Sequence, residues 1–173
     1  MFQPQASRLA QPEDAESIGR VRVDAWKTAY VGFMPDIFLD ALDPNTGLSQ
    51  LRAQLAAATP CQVTRVIESE GDVVAFSLLG LPRYEAPSET VELWAVNVMP
   101  AYWRRGYGAA LVEVAFQDAR AKRGRCLELW CIEGNNRARS LYKRFGFAET
   151  GTSRTNTKLT GHPLYEIQLR VAL

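Results

Sequence analysis

Val96-Asn97-Val98-Met99-Pro100-Ala101-Tyr102-Trp103-Arg104-Arg105-Gly106-Tyr107-Gly108-Ala109-Ala110-Leu111 joins an apolar strand, a proline-marked turn, a basic pair, two glycines and the start of a helix. Beyond Gly106, the apolar residues Leu111, Val114, Ala115 and Ala119 recur at helical spacing. The glycines therefore stand where a helix begins, and its first backbone NH groups have no internal partner. The positive end of the helix dipole, Arg104 and Arg105, and the missing Cβ of Gly106 and Gly108 together suit a phosphate close to the backbone. The same residues also read as an ordinary strand-to-helix turn with no ligand. Two other phosphate motifs do not fit. A P-loop needs Lys-Ser/Thr after its last glycine, where Ala109-Ala110 stand. A dinucleotide fingerprint needs a third small residue in place of Leu111, and an acidic ribose ligand about twenty residues on, where Lys122, Arg123 and Arg125 cluster.

Working outward, the 173 residues are expected to form one domain, 1–173, able to bury a sizeable core. Lys and Arg number 20 against 19 Asp and Glu, a formal charge of +1 that gives no general attraction to nucleic acid or to an anionic membrane surface. Cys61, Cys126 and Cys131 are odd in number and lack metal-ligand spacing, so they are expected to be reduced and mostly packed, with no metal bound. Met1-Phe2-Gln3-Pro4 does not open a charged and then apolar leader, and no run of about eighteen apolar residues follows. A soluble, cytoplasmic protein is the expectation.

Along the chain, Ser7 to Ala10 reads as a short strand and Pro12, Glu13, Asp14 and Glu16 as the first turn of a helix running to about Val31. That helix has one apolar stripe at Ile18, Val21, Ala25 and Ala29 and a second at Val23, Trp26 and Tyr30. One can cover a sheet; the other needs a neighbouring helix, a partner chain or a ligand. Pro35-Asp36 opens a short helix through Leu42, and a third stretch ends at about Ala58. From Gln62 the pattern becomes β-rich, with a hairpin at Glu70-Gly71-Asp72, an irregular loop from Leu81 to Ser88, and a strand from Thr90 to Val98. Strict alternation places Glu92 on the face of Trp94, Val96 and Val98, as an edge-strand charge that reaches water, as a partner for a nearby arginine, or as a carboxylate with a raised pKa set up to act as a base. A helix from Gly108 to Arg123, a strand from Cys126 to Ile132, a helix opening at Asn135-Asn136 and closed by Gly146, and two antiparallel strands complete the chain. Tyr142 reads as a core aromatic or a cleft hydroxyl, and His162 as a solvated turn residue.

Val96-Asn97-Val98, then Trp103-Arg104-Arg105-Gly106-Tyr107-Gly108-Ala109, and later Asn135-x-x-Ala138-x-x-x-Tyr142-x-x-x-Gly146-Phe147 resemble the GCN5-related N-acetyltransferase (GNAT) superfamily. The resemblance covers essentially the whole chain, with motif A at about 90–123 and motif B at about 126–147. It implies an α+β fold: a mixed, mostly antiparallel sheet flanked by helices, whose fourth and fifth strands splay to admit acetyl-CoA. The expected activity is transfer of the acetyl group to a primary amine of a small molecule or protein, by direct attack in a ternary complex. The alternative is a CoA-binding module without turnover.

The resemblance also implies roles. The backbone of Val96, Asn97 and Val98 would hold the pantetheine arm and the thioester carbonyl. Arg104, Arg105, Gly106, Tyr107, Gly108 and Ala109 would cradle the pyrophosphate, with Trp103 beside them and Asn135 on the cofactor arm. Glu92 matches the position that often deprotonates the amine, whose ordinary pKa near 10 leaves it mostly cationic. Tyr142 would donate to the leaving sulfur, although alignment of amine and thioester should supply most of the acceleration. Trp103 stands where the family usually has Gln or Arg, which removes a side-chain contact to the pyrophosphate. Trp26, Tyr30, Phe33, Tyr84 and Glu85 lie in segments that generally line the acceptor side, and the aromatics suit an aromatic or alkyl amine or another cation. They read equally as helix packing or a dimer contact, and a homodimer is an open expectation because related proteins often dimerise.

Overall fold

A computed structural model describes residues 6–57, 59 and 61–173; the amino-terminal tetrapeptide and the expected helix end at Ala58 lie outside the described residues. In chain order the elements are β1 (Arg8–Leu9), α1 (Ala15–Ala29), α2 (Asp36–Asp40), α3 (Leu48–Ala57), β2 (Gln62–Ser69), β3 (Asp72–Gly80), β4 (Thr90–Val98), α4 (Tyr107–Ala121), β5 (Cys126–Ile132), α5 (Asn136–Arg144), β6 (Ala148–Asn156) and β7 (Leu164–Ala172). The strands form one sheet in the order β1-β2-β3-β4-β5-β7-β6. Every neighbouring pair is antiparallel except β4 and β5. This is the expected mixed α+β architecture with flanking helices.

The helices cover the two faces through the stripes visible in the sequence. Ile18 and Val21 of α1 pack with Val66, Val73 and Phe76 on one face. Val112, Ala115 and Ala119 of α4 pack with Val91, Leu93, Leu127 and Leu129 on the other. The second stripe of α1 finds a smaller cluster, where Trp26 and Tyr30 meet Met34, Leu39 and Leu164. Burial of these apolar surfaces on both sides of one sheet is the main favourable term holding the layers together.

Two departures from regular pairing shape the centre of the molecule. The parallel ladder of β4 and β5 has only three rungs, Thr90↔Cys126, Val91↔Leu127 and Glu92↔Glu128. β5 stays paired with β7 as far as Ile132↔Glu166, so the two central strands part beyond Glu92. The second is a bulge: Leu78 pairs with Ala95 but Leu79 pairs with Leu93, which leaves Trp94 without a β3 partner. An extra residue reverses the alternation of side chains. Val91 and Leu93 below the bulge and Val96 and Val98 above it consequently all turn toward α4. Glu92 therefore does not share the face of Val96 and Val98, as strict alternation predicts; it and Trp94 both meet Arg83 on the opposite side. Of the three cysteines, all free, Cys131 is buried and Cys126 half-buried, whereas Cys61 is exposed and not packed as expected. His162 is exposed in its turn.

Candidate functional site

Where β4 and β5 part, a cleft of about 1570 Å³ opens, with Leu93 to Val98 along one wall and Trp130, Cys131 and Ile132 along the other. Two helix starts close one end of it. Gly106 caps α4 at φ 86°, a left-handed conformation that glycine adopts without Cβ strain. No side-chain hydrogen bond caps that terminus, and the first-turn NH groups of Gly108 and Ala109 have no partner within the helix. Arg104 is also left-handed, at φ 62°, which turns the chain sharply just before the cap. A Cβ on Gly108 would come within 3.3 Å of Leu141 Cδ2, so this glycine lets α4 and α5 approach. At the second helix start, Asn135 Oδ1 accepts from Ala138 N at 3.2 Å and caps α5.

The expected cofactor residues Val96, Asn97, Val98, Trp103, Arg104, Gly106, Tyr107, Gly108, Ala109, Asn135 and Tyr142 all line the cleft. Arg105 is not among the lining residues; its guanidinium lies 5.3 Å from the centre of the Tyr102 ring. Trp103, the departure from the family pattern, donates from Nε1 to the Val98 carbonyl at 2.7 Å. The Arg137 guanidinium lies over its ring, 3.3 Å from the ring centre. Arg137 and Arg144 extend the basic lining from α5 and were not singled out in the sequence, because a helix rich in arginine reads first as a solvated face. Burial, and then Arg104 nearby, pull the Arg137 guanidinium below its ordinary pKa, while the charge of Tyr30 opposes this.

Tyr142 sits on α5 with its ring edge-on to Phe147, 5.6 Å between centroids. Burial pushes its hydroxyl far above the ordinary tyrosine value, with Cys131 and Tyr30 adding to the effect, so it stays a protonated donor at physiological pH. Cys131 lines the same wall, and burial pushes its thiol up to about 12. A thiol in that state is a poor nucleophile.

Of the expected acceptor residues, Trp26 and Tyr30 line the cleft, with their rings edge-to-face at 5.5 Å. Tyr84, Phe33 and Glu85 do not line it. Tyr84 lies behind the wall: its hydroxyl donates to Glu128 and its ring stands edge-on to Trp130 at 5.7 Å. Phe33 occupies the space that a Cβ on Gly134 would need. Glu92 is 1% exposed and is absent from the lining. Its Oε2 accepts from the Arg83 backbone NH at 2.9 Å and its Oε1 from the Arg83 guanidinium at 3.1 Å. This is the arginine-paired environment, with Arg83, itself a lining residue, between the carboxylate and the cleft. The walls instead carry Trp94, Trp130, Arg154 and Glu166, each from a different strand, so no local pattern in the sequence brings them together.

Residues 23–147 match the family model described as the acetyltransferase (GNAT) family. The uncharacterised N-acetyltransferase YuaI of Bacillus subtilis is 24% identical over 162 residues, 94% of this chain and 90% of YuaI. Two solved structures share the fold. Thermoplasma acidophilum PaiA N-acetyltransferase, in complex with coenzyme A, superposes with a TM-score of 0.79 at 16% identity, covering 97% of this chain and 98% of PaiA. Salmonella typhimurium yncA, with its cofactor acetyl-CoA, superposes with a TM-score of 0.73 at 20% identity, covering 98% and 94% of the two chains. The family match begins within α1 and ends just after α5, taking in the strand parting and both helix starts; by that match the chain belongs to the GNAT acetyltransferase family.

Proposed function

We propose that this cleft transfers an acetyl group from acetyl-CoA to a primary amine, with both bound at once. The carrying observation is the parting of β4 from β5 beside an uncapped α4 start at Gly106. The residues present fit a pantetheine diphosphate. The NH groups of Tyr107, Gly108 and Ala109 suit the pyrophosphate, with Arg104, Arg137 and Arg144 lining the same cleft. The β4 backbone from Val96 to Val98, unpaired toward β5, suits the amide arm as an added strand.

Acetyl-CoA supplies an activated acetyl thioester; this chain supplies position and protons. Tyr142, kept protonated by burial, donates to the departing sulfur. Cys131 is next to the same centre, yet its raised pKa disfavours an acetyl-cysteine route and leaves direct attack by the amine. Glu92, held by Arg83, serves in this reading to fix the loop before β4 and reaches the amine only through water.

The runner-up is a CoA-binding module without turnover. One observation favours it: Trp103 already occupies the Val98 carbonyl on the strand that would receive the amide arm. Calorimetric titration with acetyl-CoA tests the shared step, using wild type and Gly106→Asp, whose carboxylate would stand at the α4 start. Binding by wild type and its loss in the variant support the anion site; absence of binding by wild type overturns both readings. Thiol release with amines then separates enzyme from module.

A further inference from the structure

We infer that Glu166 is the residue that receives the acceptor's ammonium group and takes its proton, and that the acceptor is a monoamine with an apolar body. This rests on the acetyltransferase reading above. Among the described residues, Glu166 is the one carboxylate lining the cleft. It projects from β7 at the mouth of the strand parting, where it is the register partner of Ile132 on β5 and of Arg154 on β6. Arg154 Nε donates to Oε2 at 2.7 Å, and Oε1 accepts no hydrogen bond among the described residues. A carboxylate held by one arginine with its second oxygen free is oriented and still able to accept a proton.

Glu166 lines the same cleft as Tyr30, Cys131 and Tyr142. Burial first, then Cys131 and Glu166, push the hydroxyl of Tyr30, just past α1, up to about 12, with Arg137 opposing. Glu166 also raises the Cys131 thiol of β5, where Arg139 of α5 acts in the opposite sense. Cys131 in turn acts on Tyr142. Glu166, Tyr30, Cys131 and Tyr142 thus form one electrostatic neighbourhood.

The walls around it set the substrate class. Trp26, Tyr30, Trp94 and Trp130 line the cleft, while Arg83, Arg154 and Lys158 are the basic residues on the acceptor side. One carboxylate among several cations accommodates one ammonium group. A polyamine or an aminoglycoside would bring further positive charges to the arginines and Lys158 with no carboxylate to meet them.

In the reaction, Glu166 Oε1 takes one proton from the ammonium, and the freed nitrogen lone pair forms the C–N bond as the C–S bond breaks. The sulfur leaves with the Tyr142 proton. The nitrogen's second proton restores Tyr142, and Glu166 releases its proton to solvent. The products are an amide, a free thiol and one proton.

The test uses the full chain with phenethylamine, tryptamine, isoamylamine and spermidine as probes. It measures acetyl-CoA affinity, thiol release against pH, and phenethylamine affinity in the presence of coenzyme A. Glu166→Gln should lower kcat/KM for the monoamines about 100-fold and weaken phenethylamine binding about tenfold. It should also leave acetyl-CoA affinity unchanged. Glu166→Asp, which keeps the charge, should recover part of the rate and guards against a folding defect. Three results would overturn the inference while leaving acetyl-CoA binding intact: no turnover of any monoamine by wild type, a preference for spermidine, or unchanged monoamine kinetics in Glu166→Gln. Failure of wild type to bind acetyl-CoA would instead bring down the acetyltransferase reading, and this inference with it.

Discussion

Glu92 on β4 and Glu128 on β5 face one another across the last rung of the parallel ladder, the point from which the strands part. Both are fully buried, and each anchors a residue of the loop before β4. Glu92 holds Arg83, whose guanidinium stacks 5.0 Å from the Trp94 ring centre. Glu128 accepts from the Tyr84 hydroxyl, from Gln168 and from Arg170, and Tyr84 braces Trp130. Two buried carboxylates side by side repel, and the arginines and hydroxyl around them offset that cost. The pair thereby ties both tryptophan walls of the cleft to the foot of the parting.

Arg83→Ala should leave Glu92 with only the backbone NH of residue 83 and strip the brace from Trp94. Because Arg83 is itself largely exposed, the expected loss is moderate, about 1–3 kcal/mol. The midpoint of urea unfolding measures it. An unchanged midpoint would show that water replaces the guanidinium at no cost.

Gly80 leaves room for an indole: a Cβ there would stand 2.5 Å from Trp94 Cζ2. Gly80→Ala should push that ring into the cleft, at a cost of about 1–3 kcal/mol. A changed near-ultraviolet circular dichroism signal with a lowered melting temperature is the expected pair of results. An unmoved signal would mean that Trp94 has space to yield.

Tyr142→Phe retains the ring packed on Phe147 and removes the proton donor. The turnover rate for acetyl transfer should fall about 100-fold, with acetyl-CoA affinity unchanged. Since burial holds the hydroxyl above its ordinary value of 10.0, wild type should show no loss of rate from this group as pH rises to that value. Equal rates for the two proteins would remove Tyr142 from the chemistry.

Asp14 stabilises the front of the molecule in a pH-dependent way. Arg8 donates to both carboxylate oxygens at 2.7 and 2.8 Å, and the Gln11 NH donates at 2.7 Å. Arg8 first, with these other contacts outweighing burial, holds the carboxyl below its ordinary 3.8. The contribution is therefore complete above that value and is lost as pH falls through the lower folded value. Asp14→Asn should cost about 1 kcal/mol at neutral pH, discounted because Arg8 is partly exposed. Urea midpoints of the two proteins should converge as pH drops toward 2. A gap that persists unchanged in acid would assign the effect to packing.

The cofactor half of the candidate site was legible because its parts are contiguous. Gly106 and Gly108 announce the α4 start, and Asn135 to Gly146 spell out α5 with its cap and stop. The acceptor half was only partly legible. Trp26 and Tyr30 showed themselves as a surplus apolar stripe on α1, but Tyr84 faces Glu128 behind the wall, and Arg154 and Glu166 come from strands with no distinguishing pattern. Glu92 was recognisable by position, yet its burial under Arg83 depends on how the preceding loop folds back.

The sequence by itself determined the element order, the faces of the helices and the glycine turn before α4, since periodicity, capping residues and glycine placement act over a few residues. The tertiary structure decided which face Glu92 occupies, because a single bulged residue at Trp94 reverses every side chain beyond it. It also decided that Glu166 is the carboxylate in the cleft. That outcome depends on the long-range register of β5, β7 and β6 and on where β4 leaves the sheet.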